Sequence, residues 1–236
     1  MQVIGHRGAA TLAPENTWPG FDLALELGVD AVETDVRGTS DGVLVLLHDE
    51  RLDRTTDGTG RVHETPWPVV RALDAGSWFG AAYAEARVPR LDETLARYGQ
   101  RTHLVLEIKQ PGVEGLVLEM VRERGLVEQV TFTSFDWETV RRIKVAFSEA
   151  RVGYLARDVD LDTVSRVLDA GLDQFCPPAS AVSPEQVRAW RALGLEVRAW
   201  GVRDTGLMEK AIEAGVDGMT VDFPHLLLEA LGRSRP

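Results

Sequence analysis

A chain of 236 residues, 44% apolar and 27% charged, is long enough to bury a sizeable core and has the balance of an ordinary globular protein rather than a disordered one. With 37 acidic against 26 basic side chains the formal charge is −11, which argues against a nucleic-acid or broad anionic-membrane surface and requires any anionic ligand to be held locally. The single cysteine, Cys176, cannot close an internal disulfide, no apolar run approaches the ~18 residues of a bilayer span, and MQVIGHRG lacks the regions of a signal peptide, so a reducing, cytoplasmic setting without membrane insertion is expected.

Short β-branched or leucine-rich runs recur down the chain, each followed by a stretch with helical spacing. The predicted strands are, in order, Gln2–His6, Ala31–Asp35, His103–Ile108, Val130–Ser134, Arg151–Leu155, Asp173–Cys176, Glu196–Trp200 and Asp217–Val221. Three helices have legible ends: Asn16-Thr17 opens Trp18–Leu27 before Gly28, Ser183-Pro184-Glu185 opens Val187–Leu193 before Gly194, and Asp204-Thr205 opens Leu207–Ala214 before Gly215. Eight strand-helix units match an α/β protein of the (β/α)8 TIM barrel type, which runs to ~250 residues. A doubly wound sheet is the runner-up, but it normally has fewer strands, and no glycine-rich phosphate loop follows the first strand.

One segment breaks the rhythm. Residues from about 37 to 90 separate the second strand from its helix and contain a further strand-like run, Val43–His48. Thr39-Ser40-Asp41-Gly42 suits a hairpin turn, with an irregular excursion after it. The expectation is one barrel domain over residues 1–236 with this small insertion on the catalytic face, where Trp67, Trp78, Phe79 and Tyr83 either cover the mouth or pack on the barrel.

Polar residues at strand ends are informative, because barrel active sites form where strands terminate. His6-Arg7 closes the first strand, Glu33 and Asp35 the second, Glu107 and Lys109 the third, and Trp200 the seventh. The i, i+2 spacing of Glu33-x-Asp35 and Glu107-x-Lys109 turns each pair to one side of its strand. Inward carboxylates flanked by apolar residues need a cation, which is either a metal ion or a buried Arg7 or Lys109. With both pairs and two histidines arriving together, the purely structural alternative falls behind. Trp200 packs in the core or walls the pocket for a substrate's alcohol. Asn16 reads as a helix cap, Asp222 as an organiser of the last helix start, and His63, His103 and His225 match no motif.

Gly5-His6-Arg7-Gly8, Pro14-Glu15-Asn16-Thr17, Glu33-Thr34-Asp35-Val36, Asp41-Gly42, Leu47-His48-Asp49, Asp53-Arg54-Thr55-Thr56-Asp57-Gly58-Thr59-Gly60, Glu107-Ile108-Lys109, Gly215-Val216-Asp217-Gly218 and Asp222-Phe223-Pro224 together resemble the glycerophosphodiester phosphodiesterases, in family order and over nearly the whole chain. The resemblance implies a (β/α)8 barrel with an insertion after the second strand, one bound divalent cation and two catalytic histidines. Carried over by position, Glu33, Asp35 and Glu107 are the implied metal ligands, an oxygen-only set suited to Mg²⁺ or Ca²⁺. His6 and His48 are the implied acid/base pair, Arg7 the implied fork on phosphoryl oxygens and Lys109 an added point charge. It also places Asn16 near the site. Two positions depart from the pattern: Trp200-Gly201-Val202-Arg203 lacks the Thr and Asn that often follow the tryptophan, and Val221 replaces the usual Thr before Asp222.

The implied activity is metal-dependent hydrolysis of a small-molecule glycerophosphodiester to sn-glycerol 3-phosphate and an alcohol, with a route in which the glycerol 2-hydroxyl attacks phosphorus and water opens the resulting cyclic phosphate. The alternatives are a lysophospholipase D-type relative acting on lysophospholipids, which needs an apolar acyl groove, and a silent phosphodiester-binding barrel. Silent relatives are expected to lose a histidine or a carboxylate, and this chain has lost none.

Overall fold

The computed structural model describes residues 1–233. Its strands are β1 (Gln2–Gly5), β2 (Ala31–Gly38), β3 (Leu44–Leu46), β4 (His103–Ile108), β5 (Val130–Ser134), β6 (Arg151–Leu155), β7 (Gln174–Cys176), β8 (Glu196–Val202) and β9 (Gly218–Val221). The helices are α1 (Trp18–Leu27), α2 (Trp67–Val70), α3 (Leu91–Tyr98), α4 (Glu114–Glu123), α5 (Trp137–Ala146), α6 (Leu161–Asp169), α7 (Pro184–Ala192), α8 (Thr205–Ala214) and α9 (Pro224–Ala230). β1 pairs in parallel with both β2 and β9, and the remaining barrel strands pair in sequence order, so eight parallel strands close into a (β/α)8 barrel. β3 stands outside it, antiparallel to β2.

Local chemistry accounts for the helix ends. The hydroxyl of Thr17 accepts from the Gly20 N–H at the start of α1, Ser183 and Asp204 cap α7 and α8 in the same way, and Gly28 and Gly215 close α1 and α8 in the left-handed conformation. The cap of α1 is therefore Thr17, and Asn16 is free for another task. β2 extends three residues past the predicted Asp35, because the hairpin holds it: Val36 faces Leu46 and Gly38 faces Leu44.

Alternation along the strands sorts the core from the site. Val3, Val32, Leu104 and Leu106 point outward into the main core beneath the helices, whereas Ile4, Ala31 and Val105 form a separate small cluster within the barrel. Further along the same inward faces come Glu33, Asp35 and Glu107, all buried; Thr133, Arg198 and Thr220 are buried polar residues of the other strands, Thr220 paired beside Ile4. The apolar floor thus gives way to polar side chains toward the C-terminal strand ends.

The excursion between β3 and α3 has its own small core, in which Val45, Leu52, Val62, Val70 and Val88 are buried. Trp78, Phe79 and Tyr83 stack edge to face on one another, and the Tyr83 hydroxyl donates to the Leu12 carbonyl at 3.1 Å. Trp67 packs against the insertion's core with Arg90 over its ring. These aromatic residues pack; none of them lines the cavity at the barrel mouth.

Candidate active site

Strand register assembles the carboxylates. Asp35 of β2 lies directly beside Glu107 of β4, and Glu33 is one inward position below Asp35. Each of the three offers an oxygen such that all lie within 4.8 Å of one another, with exposures of 2%, 0% and 6% for Glu33, Asp35 and Glu107. Three buried carboxylates repel each other. Burial and the neighbouring Asp35 push Glu33 up to about 7, and the same two causes raise Glu107. Asp35 moves the other way: burial opposes its charge, but Lys109 and Arg7 hold it well below the ordinary carboxylate range. The Lys109 ammonium is 2.6 Å from Glu107 Oε1 and 3.3 Å from Asp35 Oδ1, and Arg7 Nε is 3.1 Å from Asp35 Oδ2.

Two cations do not satisfy the cluster. Among the described residues, Glu33 Oε1 is buried without any hydrogen bond, and Asp35 Oδ1 makes none beyond its ion pair with Lys109. Three carboxylates converging from two strands, offering oxygen atoms only, fit a hard divalent cation.

The turn after β1 brings up the next residues at a cost in backbone strain. Arg7 at φ 53 and Asn16 at φ 54 both occupy the left-handed region that non-glycine residues rarely adopt. Hydrogen bonds hold both in place. The Arg7 N–H donates to Glu33 Oε2 at 3.1 Å; the Asn16 amide donates to Asp35 Oδ2 at 2.8 Å and accepts from the Thr34 hydroxyl and the Asp35 N–H. Gly8 must be glycine, since at φ 95 an added Cβ would lie 2.6 Å from the Gly20 carbonyl carbon.

Both histidines present one ring nitrogen to an aspartate. His6 Nδ1 is 2.5 Å from Asp222 Oδ1, and His48 Nδ1 is 2.7 Å from Asp49 Oδ1. Nε2 of each ring is thereby left for the cavity, which both histidines line. His6 Nε2 lies 3.8 Å from Glu33 Oε2. Burial lowers both imidazole pKa values, but the Asp222 hydrogen bond and the Glu33 charge carry His6 above its ordinary value, whereas His48 stays below it. The insertion fastens His48 further. Arg54 bridges Asp49 and Glu15, Glu15 takes Arg7 Nη1 at 2.8 Å, and Arg37 donates twice to the His48 carbonyl.

These groups surround a cavity of about 340 Å³ that His6, Arg7, Glu33, His48, Glu107 and Lys109 line together. Asp35 sits beneath it, fully buried. Trp200 forms the far wall, with its indole N–H on the Ala156 carbonyl at 3.1 Å and its ring edge-on to Phe135 at 4.7 Å. All eight candidate residues therefore meet at one end of the barrel. Two expectations need correction. Asp222 does not organise the last helix, whose N-cap is Phe223, but hydrogen-bonds His6; Asn16 is not the cap of α1 but a clamp on Asp35. Sequence reasoning gave no task to Glu15, Asp49 or Arg54. Asp222 was within reach of the strand-end rule that selected Glu33 and Glu107, while the Glu15–Arg54–Asp49 chain joins loops too distant in sequence for any spacing to show.

An eight-stranded parallel barrel with carboxylates, imidazoles and cations gathered at the C-terminal strand ends belongs to the enzyme barrels. Residues 6–226 match the model of the glycerophosphoryl diester phosphodiesterase family, and the chain belongs to that family, whose enzymes hydrolyse glycerophosphodiesters. It is 35% identical over 232 residues to a glycerophosphodiester phosphodiesterase of Caldanaerobacter subterraneus subsp. tengcongensis, covering 96% of each chain. Among solved structures it superposes on an Oleispira antarctica phosphodiesterase in complex with the product sn-glycerol-3-phosphate, with a TM-score of 0.87, 31% identity, and 98% of this chain and 97% of that one covered. A glycerophosphodiester phosphodiesterase from Agrobacterium tumefaciens is similar at 32% identity and a TM-score of 0.85, over 97% of this chain and 99% of that one. No helix of the described residues is long and apolar enough to cross a membrane.

Proposed function

We propose that the chain hydrolyses glycerophosphodiesters to sn-glycerol 3-phosphate and an alcohol by acid-base catalysis between His6 and His48 at a divalent-cation site formed by Glu33, Asp35 and Glu107. The observation that carries this reading is the convergence of three buried carboxylates, two of their oxygens making no hydrogen bond, beside two imidazoles whose Nδ1 atoms are held by aspartates and whose Nε2 atoms make no hydrogen bond among the described residues. Bound there, Mg²⁺ or Ca²⁺ supplies Lewis-acid relief of charge on the phosphoryl oxygens. Arg7 orients the phosphoryl group with its planar fork and Lys109 adds a point charge. Cleavage of a diester needs a proton taken from the attacking oxygen and another given to the departing alkoxide, and the opposite shifts of His48 and His6 leave one imidazole neutral and the other protonated over the same pH range. Trp200 walls the space for the alcohol.

The glycerol 2-hydroxyl is the proposed nucleophile. Its oxygen bonds to phosphorus, its proton goes to one imidazole, and the P–O bond to the alcohol breaks as the other imidazole delivers a proton; water then opens the cyclic glycerol phosphate. Well-oriented internal nucleophiles reach effective molarities of ~10⁵–10⁸ M, so a 2-deoxyglycerol diester is expected to react orders of magnitude more slowly, mainly in kcat. Comparison of the two diesters with ³¹P NMR observation of a transient cyclic phosphate tests the route. Equal kcat values without a cyclic species would leave direct attack by water.

A further inference from the structure

The cavity is electrically lopsided. On the side of β1, β2 and β4 stand Glu33 and Glu107 with His6, Arg7 and Lys109, and Asp222 follows β9, whereas the side of β5, β6 and β8 contributes Phe135, Leu155, Trp200, Arg198 and Arg203 and, among the described residues, no carboxylate. Arg198, 1% exposed, donates through Nε to Gln174 and through Nη1 to Thr220, yet its Nη2 has no partner although the residue lines the cavity. Arg203 lines the same cavity and is exposed, and Arg157, also exposed, lies over the Phe135 ring of the wall. Among the described residues none of these three arginines forms an ion pair, in a chain of net charge −11. The carboxylate of Asp204, next in sequence to Arg203, is engaged by the Leu207 N–H.

A buried guanidinium with an unmet donor is costly, and an acceptor that arrives with a ligand removes the cost. The aromatic wall points the same way. A choline-like group binds by facing a π-surface. Phe135 already has the Arg157 guanidinium carbon 4.6 Å and Lys109 Nζ 5.7 Å from its ring centroid, and Trp200 meets it edge to face. A quaternary ammonium there would meet two cations, of which Lys109 is held by Asp35 and Glu107.

We infer that this half of the cavity is the leaving-group subsite and that it selects diesters whose alcohol bears a phosphate group over those with a cationic alcohol. The inference rests on the proposed phosphodiesterase reading and adds a substrate class to it. Arg198 supplies the buried donor, Arg203 a fork at the rim, and Arg157 with Lys109 closes the aromatic face to cations.

The test compares kcat/KM and calorimetric affinity for three diesters: glycerophosphoglycerol phosphate, glycerophosphoglycerol and glycerophosphocholine. The expected order is phosphorylated, neutral, cationic, with the advantage of the phosphorylated diester shrinking as salt is raised. Arg157→Gln and Arg203→Gln change exposed side chains that the fold tolerates, and each is expected to cut the ratio of phosphorylated to cationic substrate by roughly tenfold, the scale of one charge-assisted hydrogen bond. A wild-type preference for glycerophosphocholine, or an equal fall on all three diesters, would overturn the selectivity, because the arginines would then serve the phosphoryl group common to all. Absence of cleavage with the affinity order intact would overturn the phosphodiesterase reading and support the charge-selective subsite.

Discussion

His6 and His48 are each tied through Nδ1 to an aspartate and line the cavity, the arrangement on which their proposed roles as complementary proton carriers rest. Removal and delivery of a proton belong to one displacement. Each His→Ala change is expected to lower kcat by about 10²–10⁴, and the double variant to lose much less than the product of the two. Near-wild-type kcat in either single variant would remove that histidine from the chemistry. The carboxylates yield a second expectation. Glu33 is raised to about 7 by burial and Asp35, so at the proposed cation site a proton would compete with the cation for its oxygen below that pH. Calorimetric titration with Mg²⁺ or Ca²⁺ should show affinity roughly tenfold weaker at pH 6 than at pH 8, with proton release on binding. An affinity that does not change with pH would place the cation elsewhere.

At the scale of elements, the barrel strands and the caps of α1, α7 and α8 were legible because each rests on a local signal: a β-branched run, a hydroxyl or Asp three residues before an N–H it accepts, a glycine that can turn left-handed. That the eight candidate residues gather at one end of the barrel was legible from strand ends and i, i+2 spacing for seven of them and from the family resemblance for His48. The supports around them were not. The link between Asp222 and His6 crosses 216 residues and that between Arg54 and Glu15 crosses 39, distances over which only closure of the barrel brings the partners together. The tight turn after β1 is where local and long-range demands meet. Gly8→Ala is expected to destabilise the protein by about 3 kcal/mol or more in urea unfolding, since it adds a backbone collision to the left-handed penalty. Gly125→Ala, also at positive φ but facing open space, should cost only ~1–2 kcal/mol. Equal losses at the two positions would show that close approach of α1 to the turn is not what fixes the glycine.

For the whole molecule, the apolar cluster of Ile4, Ala31 and Val105 within the barrel is small, and the interior toward the strand ends is given to charge. A barrel that buries three carboxylates against two cations retains unmet charge, and the bound divalent cation of the proposed mechanism would meet it while serving the chemistry. Turnover of a glycerophosphodiester before chelation, after chelation and after return of Mg²⁺ or Ca²⁺ tests this most directly, with sn-glycerol 3-phosphate as the readout and metal content verified at each stage. Activity should vanish in the metal-free protein and return with the cation; full turnover in a verified metal-free preparation would contradict the account.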